Sequence, residues 1–203
     1  MCYNVKDQKR IMEGAKTMPE LAIKQGHSYT YDDYCKWDDD KRWELIDGKA
    51  YAMSAPSVKH QRISRKLCTR FDNYLSGKKC EVFHAPIDVI LNADDKNDTV
   101  VQPDLIIVCD SSKLDDKACK GVPDLVVEVL SPSTAKVDRG KKLKLYQDAG
   151  VKEYWIVDPD TDLIHVFTLY EGLYTIRAYD ENDTVSVGIF EDCEIKLQEI
   201  FED

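Results

Sequence analysis

The most constraining feature of the sequence is residues 123–130, PDLVVEVL, which place one glutamate inside a run of aliphatic residues. An apolar run of this kind is typical of a strand covered on both faces, as in a sheet flanked by helices. A carboxylate there loses its hydration, so Glu128 requires a compensating partner. The chain must therefore fold so that a group from elsewhere reaches Glu128.

The order of predicted elements indicates a mixed α/β domain. Two amphipathic segments predict helices at residues 57–75 and 138–149, ended by Gly77 and Gly150. Apolar or alternating runs predict strands at residues 81–91, 102–110, 123–130 and 151–159. We therefore expect an α/β (α+β) fold with a mixed central sheet flanked by helices.

The flanking segments complete this architecture. RWELIDGKAYAM predicts a hairpin that turns at Asp47-Gly48, and Thr30 with Asp33 predicts a helical capping box. The segments LIHVFTLY, LYTIRAY and VSVGIF predict a C-terminal β-meander. We expect residues 29–203 to form a single domain and residues 1–28 to form an N-terminal extension.

Composition restricts the compartment and the kind of partner. No apolar run reaches membrane-spanning length, and the start MCYNVKDQKR lacks a signal peptide's hydrophobic region, so we expect a cytoplasmic protein without membrane contact. Seven cysteines without a C-x-x-C spacing suggest neither a disulfide framework nor a zinc site, and we expect free thiols. A formal net charge of -10 argues against a protein that coats nucleic acid.

Basic residues nevertheless gather in two segments. Outward basic residues on a helix usually form a solvated face, but they also suit phosphates, and both interpretations stay open. The two segments contain Lys59, Arg62, Arg65, Lys66 and Arg70, then Lys136, Arg139, Lys141, Lys142 and Lys144.

Two polar residues are predicted on apolar helix faces. At about 100° per residue, Lys142 falls near the centre of the inward face of the second helix. It can pair with Asp138 one turn earlier, or with an anion on the sheet such as Glu128. His60 lies on the apolar stripe of the first helix, where it is either a core residue bonded to the backbone or a functional ligand or base.

Carboxylates provide the candidates for a metal site. Asp104 opens one predicted strand and Glu128 lies midway along another, so the two side chains converge if these strands are neighbours. Two buried carboxylates need a cation, and Mg²⁺ is held by few protein oxygens. Glu44 in the hairpin is a third candidate and Asp88 a further one, although capping, surface positions and structural ion pairs also explain such residues.

Four motifs in order resemble one known family: ELIDGKAYAMSAPSVKHQRI, QPDLIIV, PDLVVEVLSPST and KLYQDAGVKEYWIVDP. They resemble the Uma-two family of restriction endonucleases, a branch of the PD-(D/E)XK nuclease superfamily, over about residues 29–169. The resemblance implies a restriction-endonuclease-like fold and Mg²⁺-dependent (or Mn²⁺-dependent) cleavage of DNA phosphodiester bonds. It also implies DNA as the partner, and a homodimer would let two sites face two strands.

The resemblance assigns roles position by position. Asp104 matches the acid of "PD" and Glu128 matches the "D/E", while Leu130 stands where the superfamily pattern has its lysine. In the Uma-two pattern that lysine lies on the following helix, which corresponds to Lys142. Glu44 matches the family's early glutamate and His60 its histidine.

In the implied mechanism, Asp104, Glu128 and the Val129 carbonyl hold Mg²⁺, and Glu44 holds the same or a second ion. Lys142 orients water or neutralises the phosphate, and His60 assists proton transfer. Two other hypotheses remain. One is a catalytically inactive relative that binds nucleic acid or protein, and the other is an interaction protein in which the same residues form only a structural ion network.

Overall fold

The computed structural model describes residues 27–38, 41–93, 95–131 and 135–202, and the predicted N-terminal extension lies almost wholly outside them. The helices are α1 (Tyr31–Tyr34), α2 (Val58–Leu75), α3 and α4 (Gln198–Phe201), where α3 joins Ala135–Val137, a π-helical turn Asp138–Lys142 and Leu143–Ala149. The strands are β1 (Trp43–Ile46), β2 (Lys49–Ala52), β3 (Glu81–His84), β4 (Asp88–Ile90), β5 (Val100–Val101), β6 (Leu105–Val108), β7 (Ala118–Lys120), β8 (Leu125–Val129), β9 (Glu153–Asp158), β10 (Leu163–Tyr170), β11 (Leu173–Tyr179), β12 (Thr184–Ser186) and β13 (Glu194–Lys196).

These strands form two main sheets and one small one. The larger sheet has the order β11-β10-β9-β8-β6-β3, and all its pairs are antiparallel except β8 with β9. The smaller main sheet has the order β2-β1-β5-β4-β7, and only β4 with β7 is parallel. The expected mixed sheet with flanking helices is therefore present, but strand pairing divides between two sheets.

The central strands β6, β8 and β9 of the six-stranded sheet are buried on both faces, as the apolar run in β8 predicts. Leu125 and Val127 pack with Leu67 and Phe71 of α2 on one face. Val126 belongs to the core on the other face, with Tyr146 of α3. Because successive side chains of a strand point to opposite faces, Glu128 falls on the α3 side with Val126.

Local signals in the sequence are confirmed at several turns and caps. Asp47 and Gly48 both have positive φ, as a tight type I′ hairpin requires. Thr30 and Asp33 form the reciprocal capping box of α1. Gly150 closes α3 in the left-handed conformation.

Proline separates one predicted strand into two. The candidate at residues 81–91 becomes β3 in the six-stranded sheet and β4 in the five-stranded sheet. Pro86, between them, has no N–H to donate to a ladder, so pairing stops there. The short connection at residues 85–87 therefore joins the two sheets.

The predicted meander is confirmed for its first two segments, β10 and β11, which pair antiparallel, and β10 also pairs with β9. The third segment, VSVGIF, does not join it. Its strand β12 pairs with β13 instead, and Val185 and Val187 pack into the core cluster that contains the inward side chains of α2. Burying these two valines in the core is more favourable than adding a further strand to the meander.

The expectation of free thiols is wrong for Cys80 and Cys109, which form a disulfide. Glu81 pairs with Val108 in the antiparallel β3–β6 ladder, so the cysteines one residue beyond face each other. They are 29 residues apart, and only strand register brings them together. Cys35, Cys68, Cys119 and Cys193 carry free thiols, as expected. Among the described residues no helix is both long and apolar enough to cross a bilayer.

Asp124, which resembles a turn residue in the sequence, anchors the start of β8. Its Oδ2 accepts from Cys109 N at 2.8 Å, and its Oδ1 lies 2.7 Å from Lys152 Nζ. Burial raises the pKa of Asp124, but these two donors together outweigh burial and hold the pKa below its ordinary value. The carboxylate form is therefore the one that stabilises the fold.

We expect Asp124→Asn to lower the free energy of unfolding by about 1–2 kcal/mol at neutral pH, because an ionised acceptor is lost. A depressed pKa contributes stability above the unfolded-state value, about 3.9, and that stability is lost as the pH falls through the folded-state value. The difference between variant and wild type should therefore shrink below about pH 4 in urea unfolding measured across pH. The exposed Asp116→Asn serves as control, and a pH-independent difference at Asp124 would contradict the prediction.

Candidate active site

Lys142 is the buried centre of a group of carboxylates. It lies in the π-helical turn of α3 and is 2% exposed. Its Nζ lies 2.8 Å from Glu44 Oε1, 2.9 Å from Glu128 Oε1 and 3.5 Å from Asp138 Oδ1. Both partners expected for Lys142 are present, and the sheet carboxylates are nearer than the one on its own helix.

The charges of this cluster do not balance. Burial lowers the pKa of Lys142, but Glu128, Glu44 and Asp138 together raise it well above its ordinary value, so the ammonium persists. Burial raises the pKa of Glu128, Lys142 opposes the rise, and the neighbouring acids add to it. Tyr146 OH donates to Glu128 Oε1 at 2.9 Å. One ammonium thus faces three carboxylates, and an additional cation nearby would be electrostatically favoured.

Asp104 approaches Glu128 from the neighbouring strand. β6 and β8 are paired antiparallel, as the convergence of the two acids requires. Asp104 Oδ2 accepts from Val129 N at 2.8 Å and lies 3.2 Å from His60 Nε2. Asp104 is therefore fixed to the end of β8, one residue from Glu128.

His60 reaches this site from the first turn of α2, which Ser57 caps through a bond from His60 N at 3.2 Å. Burial lowers the pKa of His60, but its bond and charge interaction with Asp104, the Val129 backbone and Asp138 together raise it above the ordinary value. Within the described residues, Nδ1 is buried and has no hydrogen-bond partner. His60 is thus a neighbour of Asp104 rather than an isolated core residue.

Glu44 is positioned by the hairpin and by Gln102. It faces Lys142, while Leu45 points into a separate cluster with Tyr29 and Ile90. Gln102 N donates to Glu44 Oε1 at 2.9 Å. The five predicted residues Glu44, His60, Asp104, Glu128 and Lys142 are therefore brought together in one network.

Gln102 was not predicted as a site residue. Its Nε2 donates to Asp88 Oδ1 at 2.7 Å and to Tyr34 OH at 3.0 Å, and its Oε1 accepts from Arg42 Nε at 2.9 Å. The candidate Asp88 thus belongs to this supporting network. The available signal was weak: Gln102 stands two residues before Asp104, and an extended chain places both on one side.

A small cavity of about 70 Å³ opens at the centre of the network. His60, Asp104, Glu128, Val129 and Lys142 line it, and Glu44 lies behind Lys142. No hydrogen bond from the described part of the chain reaches Asp104 Oδ1 or Glu128 Oε2. Each strand acid therefore has one oxygen engaged and one oxygen without a donor.

The donor chemistry fits a hard divalent cation. Leu130 N donates to Val157 O on the β9 side, and Val129 N points to Asp104 on the other side, where the Val129 carbonyl also points. Two carboxylate oxygens and this carbonyl are ligands that Mg²⁺ accepts, with water and phosphate completing its shell. No three His, Cys, Asp or Glu side chains form a ready-made metal cluster in the described ranges. Such a site would bind the ion weakly without substrate.

Comparison with known proteins gives one family. The model of Uma2, described as "Putative restriction endonuclease", matches residues 30–198. Among curated relatives, the uncharacterized protein slr1290 of Synechocystis sp. is 35% identical over 168 residues, or 78% of this chain and 85% of that protein. The uncharacterized protein sll1609 of the same organism is 24% identical over 118 residues, or 57% and 65%.

A solved structure shares the fold. The crystal structure of a "putative nuclease belonging to DUF820" from Anabaena variabilis matches with a TM-score of 0.69 and 19% identity. The match covers 85% of this chain and 97% of that one. The expected restriction-endonuclease-like fold is thereby confirmed.

Removing the central ammonium should destabilise the protein. We expect Lys142→Met to cost about 3–5 kcal/mol, because buried carboxylates lose their counter-charge. Lys144→Met is a matched control on the same helix, since Lys144 is exposed and pairs with Asp148 at 2.6 Å. It should cost less than about 1 kcal/mol. Equal urea midpoints for the two variants would contradict a buried, charged Lys142.

Proposed function

Because the chain belongs to the Uma2 family and shares its fold with a protein described as a "putative nuclease", we propose that it is a Mg²⁺-dependent endonuclease that hydrolyses DNA phosphodiester bonds. The observation that carries this proposal is the convergence of Asp104, Glu128 and Lys142 on one small cavity. Glu128 lies in β8, Asp104 directly precedes β6 and Lys142 lies in α3, so the three residues are distant along the chain.

In this proposal Asp104 Oδ1, Glu128 Oε2 and the Val129 carbonyl hold the ion. When bound, Mg²⁺ or Mn²⁺ polarises the scissile phosphate and makes water a better nucleophile. The hydrogen bonds to the second oxygen of each carboxylate fix the ligands before the ion arrives: Val129 N and His60 act on Asp104, and Lys142 and Tyr146 act on Glu128. Such preorganisation avoids reorganisation when the ion and substrate bind.

Lys142 acts as the positive charge next to the reacting phosphate. Its pKa is raised by three acids, so it stays protonated at neutral pH. A fixed ammonium at the cavity wall stabilises charge that develops on phosphate oxygens. The buried position holds this charge in place, which an exposed flexible lysine does not do.

Glu44 and His60 support these groups. Glu44 Oε1 is shared by Lys142 Nζ and Gln102 N, so we assign Glu44 to position Lys142 in preference to holding a second ion. His60 Nε2 orients Asp104, and its Nδ1 is buried. We therefore assign His60 to positioning in preference to proton transfer. A homodimer remains part of the proposal, since two copies present two cavities to two strands.

A second candidate is a non-catalytic member of the family that binds nucleic acid or protein. Lys142 already bridges Glu44 and Glu128, which partly neutralises the cluster without an ion. The net charge of -10 also favours a partner other than a nucleic acid. Calorimetry that detects no binding of millimolar Mg²⁺ or Mn²⁺, with or without DNA, would favour this candidate.

We expect Asp104→Asn to reduce plasmid cleavage in Mg²⁺ or Mn²⁺ by about 100-fold or more, because a charged ligand is lost while the acceptor for Val129 N is kept. Glu128→Gln should behave alike, and EDTA should abolish cleavage by the wild type. The measurement is the rate of nicking and linearisation on agarose gels. Circular dichroism checks that each variant is folded.

Asp148→Asn is the matched control, because Asp148 is exposed and, within the described residues, pairs with the exposed Lys144 alone. Its cleavage rate should equal that of the wild type. Cleavage by Asp104→Asn at the wild-type rate would remove this carboxylate from the mechanism.

A further inference from the structure

A groove lies directly beside the candidate active site, between the outer face of α2 and strand β3. We define the α2 groove by Gln61, Arg62, Arg65 and Thr69 of α2 with Val82 and His84 of β3. It encloses about 710 Å³. It is therefore ten times larger than the cavity at Asp104, and a polymer can enter it.

The groove adjoins the cavity. Gln61 lines both of them. On the opposite wall, His84 lines the groove and its neighbour Ala85 lines the cavity, and His84 Nδ1 lies 2.9 Å from Ala85 O. A chain that lies in the groove therefore leads to Asp104.

Three basic residues of α2 differ from Arg65 because they have partners in the C-terminal half of the chain. Lys59 pairs with Asp162 at 2.9 Å, Lys66 donates to the Glu202 carbonyl, and Arg70 pairs with Glu199. All three partners lie in the C-terminal half of the chain. Asp162 and Glu199 neutralise the charges of Lys59 and Arg70, and the Glu202 carbonyl accepts a hydrogen bond from Lys66.

Arg65 differs from this set. It is exposed, lines the groove with Arg62, and has no ion pair with any described residue. The one acid in the lining, Asp72, lies two turns of helix beyond Arg65, away from the cavity. In a chain of net charge -10, the guanidinium group of Arg65 thus lies nearer the site than the acid of the groove does.

The geometry points to the α2 groove as the path of the DNA backbone: we propose that one strand lies along it, with Arg65 on a phosphate that flanks the scissile bond. Guanidinium groups bind phosphate oxygens by paired hydrogen bonds, and Gln61 and Thr69 add neutral donors. The inference rests on the proposed function, because it takes its polymer from the chemistry of the adjoining cavity. It predicts recognition of the backbone, with no base specificity from this groove.

The test measures binding apart from cleavage. Asp104→Asn is used as the background in EDTA, and a short fluorescent DNA of random sequence, duplex or single-stranded, is titrated by anisotropy between about 50 and 200 mM salt. Adding Arg65→Gln should weaken binding and lower the slope of log affinity against log salt by about 1.

Arg70→Gln is the matched control, since it removes the same charge from the same helix on the side that Glu199 covers. Its affinity and salt slope should not change. Equal losses for Arg65→Gln and Arg70→Gln, an unchanged slope for Arg65→Gln, or no DNA binding at all would each overturn the inference.

Cleavage by proteins that retain Asp104 separates the two proposals. Arg65→Gln should raise KM and leave kcat near the wild-type value. If DNA binding depends on Arg65 but the wild type cleaves nothing, the groove stands and the hydrolytic function fails. If the wild type cleaves and Arg65→Gln changes neither KM nor salt slope, the hydrolytic function stands and the groove fails.

Discussion

The ion pairs of Lys142 are the interaction on which the arrangement of the molecule depends. A single ammonium on α3 joins Glu44 of the hairpin to Glu128 of the six-stranded sheet. Each of these groups loses hydration on burial, and the loss is offset only when all of them are in place. The network therefore adds little to the free energy of unfolding as such. It strongly favours one specific arrangement of hairpin, sheet and helix. The same arrangement forms the wall of the cavity.

Charge is distributed unequally between this cavity and the rest of the protein. Acidic groups of the C-terminal half cover part of the basic face of α2, as at Lys59 and Arg70. The cavity itself concentrates acids around one lysine. A strongly acidic chain thus retains basic character only where its own carboxylates do not reach. Net charge is therefore a poor guide to the partner of a protein when internal ion pairs neutralise some of its basic residues and leave others available.

Much of the candidate site was predictable because its charged residues stand in apolar segments of the sequence. Glu128 in an apolar strand and Lys142 on an apolar helix face are both costly unless they meet, and they do meet. The hairpin at Asp47-Gly48 and the stop at Gly150 follow from backbone preferences that act within a few residues. What the sequence did not reveal depends on register between distant strands. The Cys80–Cys109 disulfide and the hydrogen bonds of Gln102 depend on how β3, β5 and β6 pair with other strands. The separation of β12 from the meander likewise follows from packing against the core that includes α2.

The charged network around the cavity draws its groups from both main sheets, which the chain connects at residues 85–87, 102–104 and 121–124. Glu44 belongs to one sheet and Glu128 to the other, so neither sheet alone contains the assembled pocket. The network is thus complete only when the two sheets are docked, because Glu44 of β1 meets Lys142 of α3 across the boundary between them. The proposed hydrolytic activity would therefore require both sheets to be docked, because the network is complete only in the whole fold.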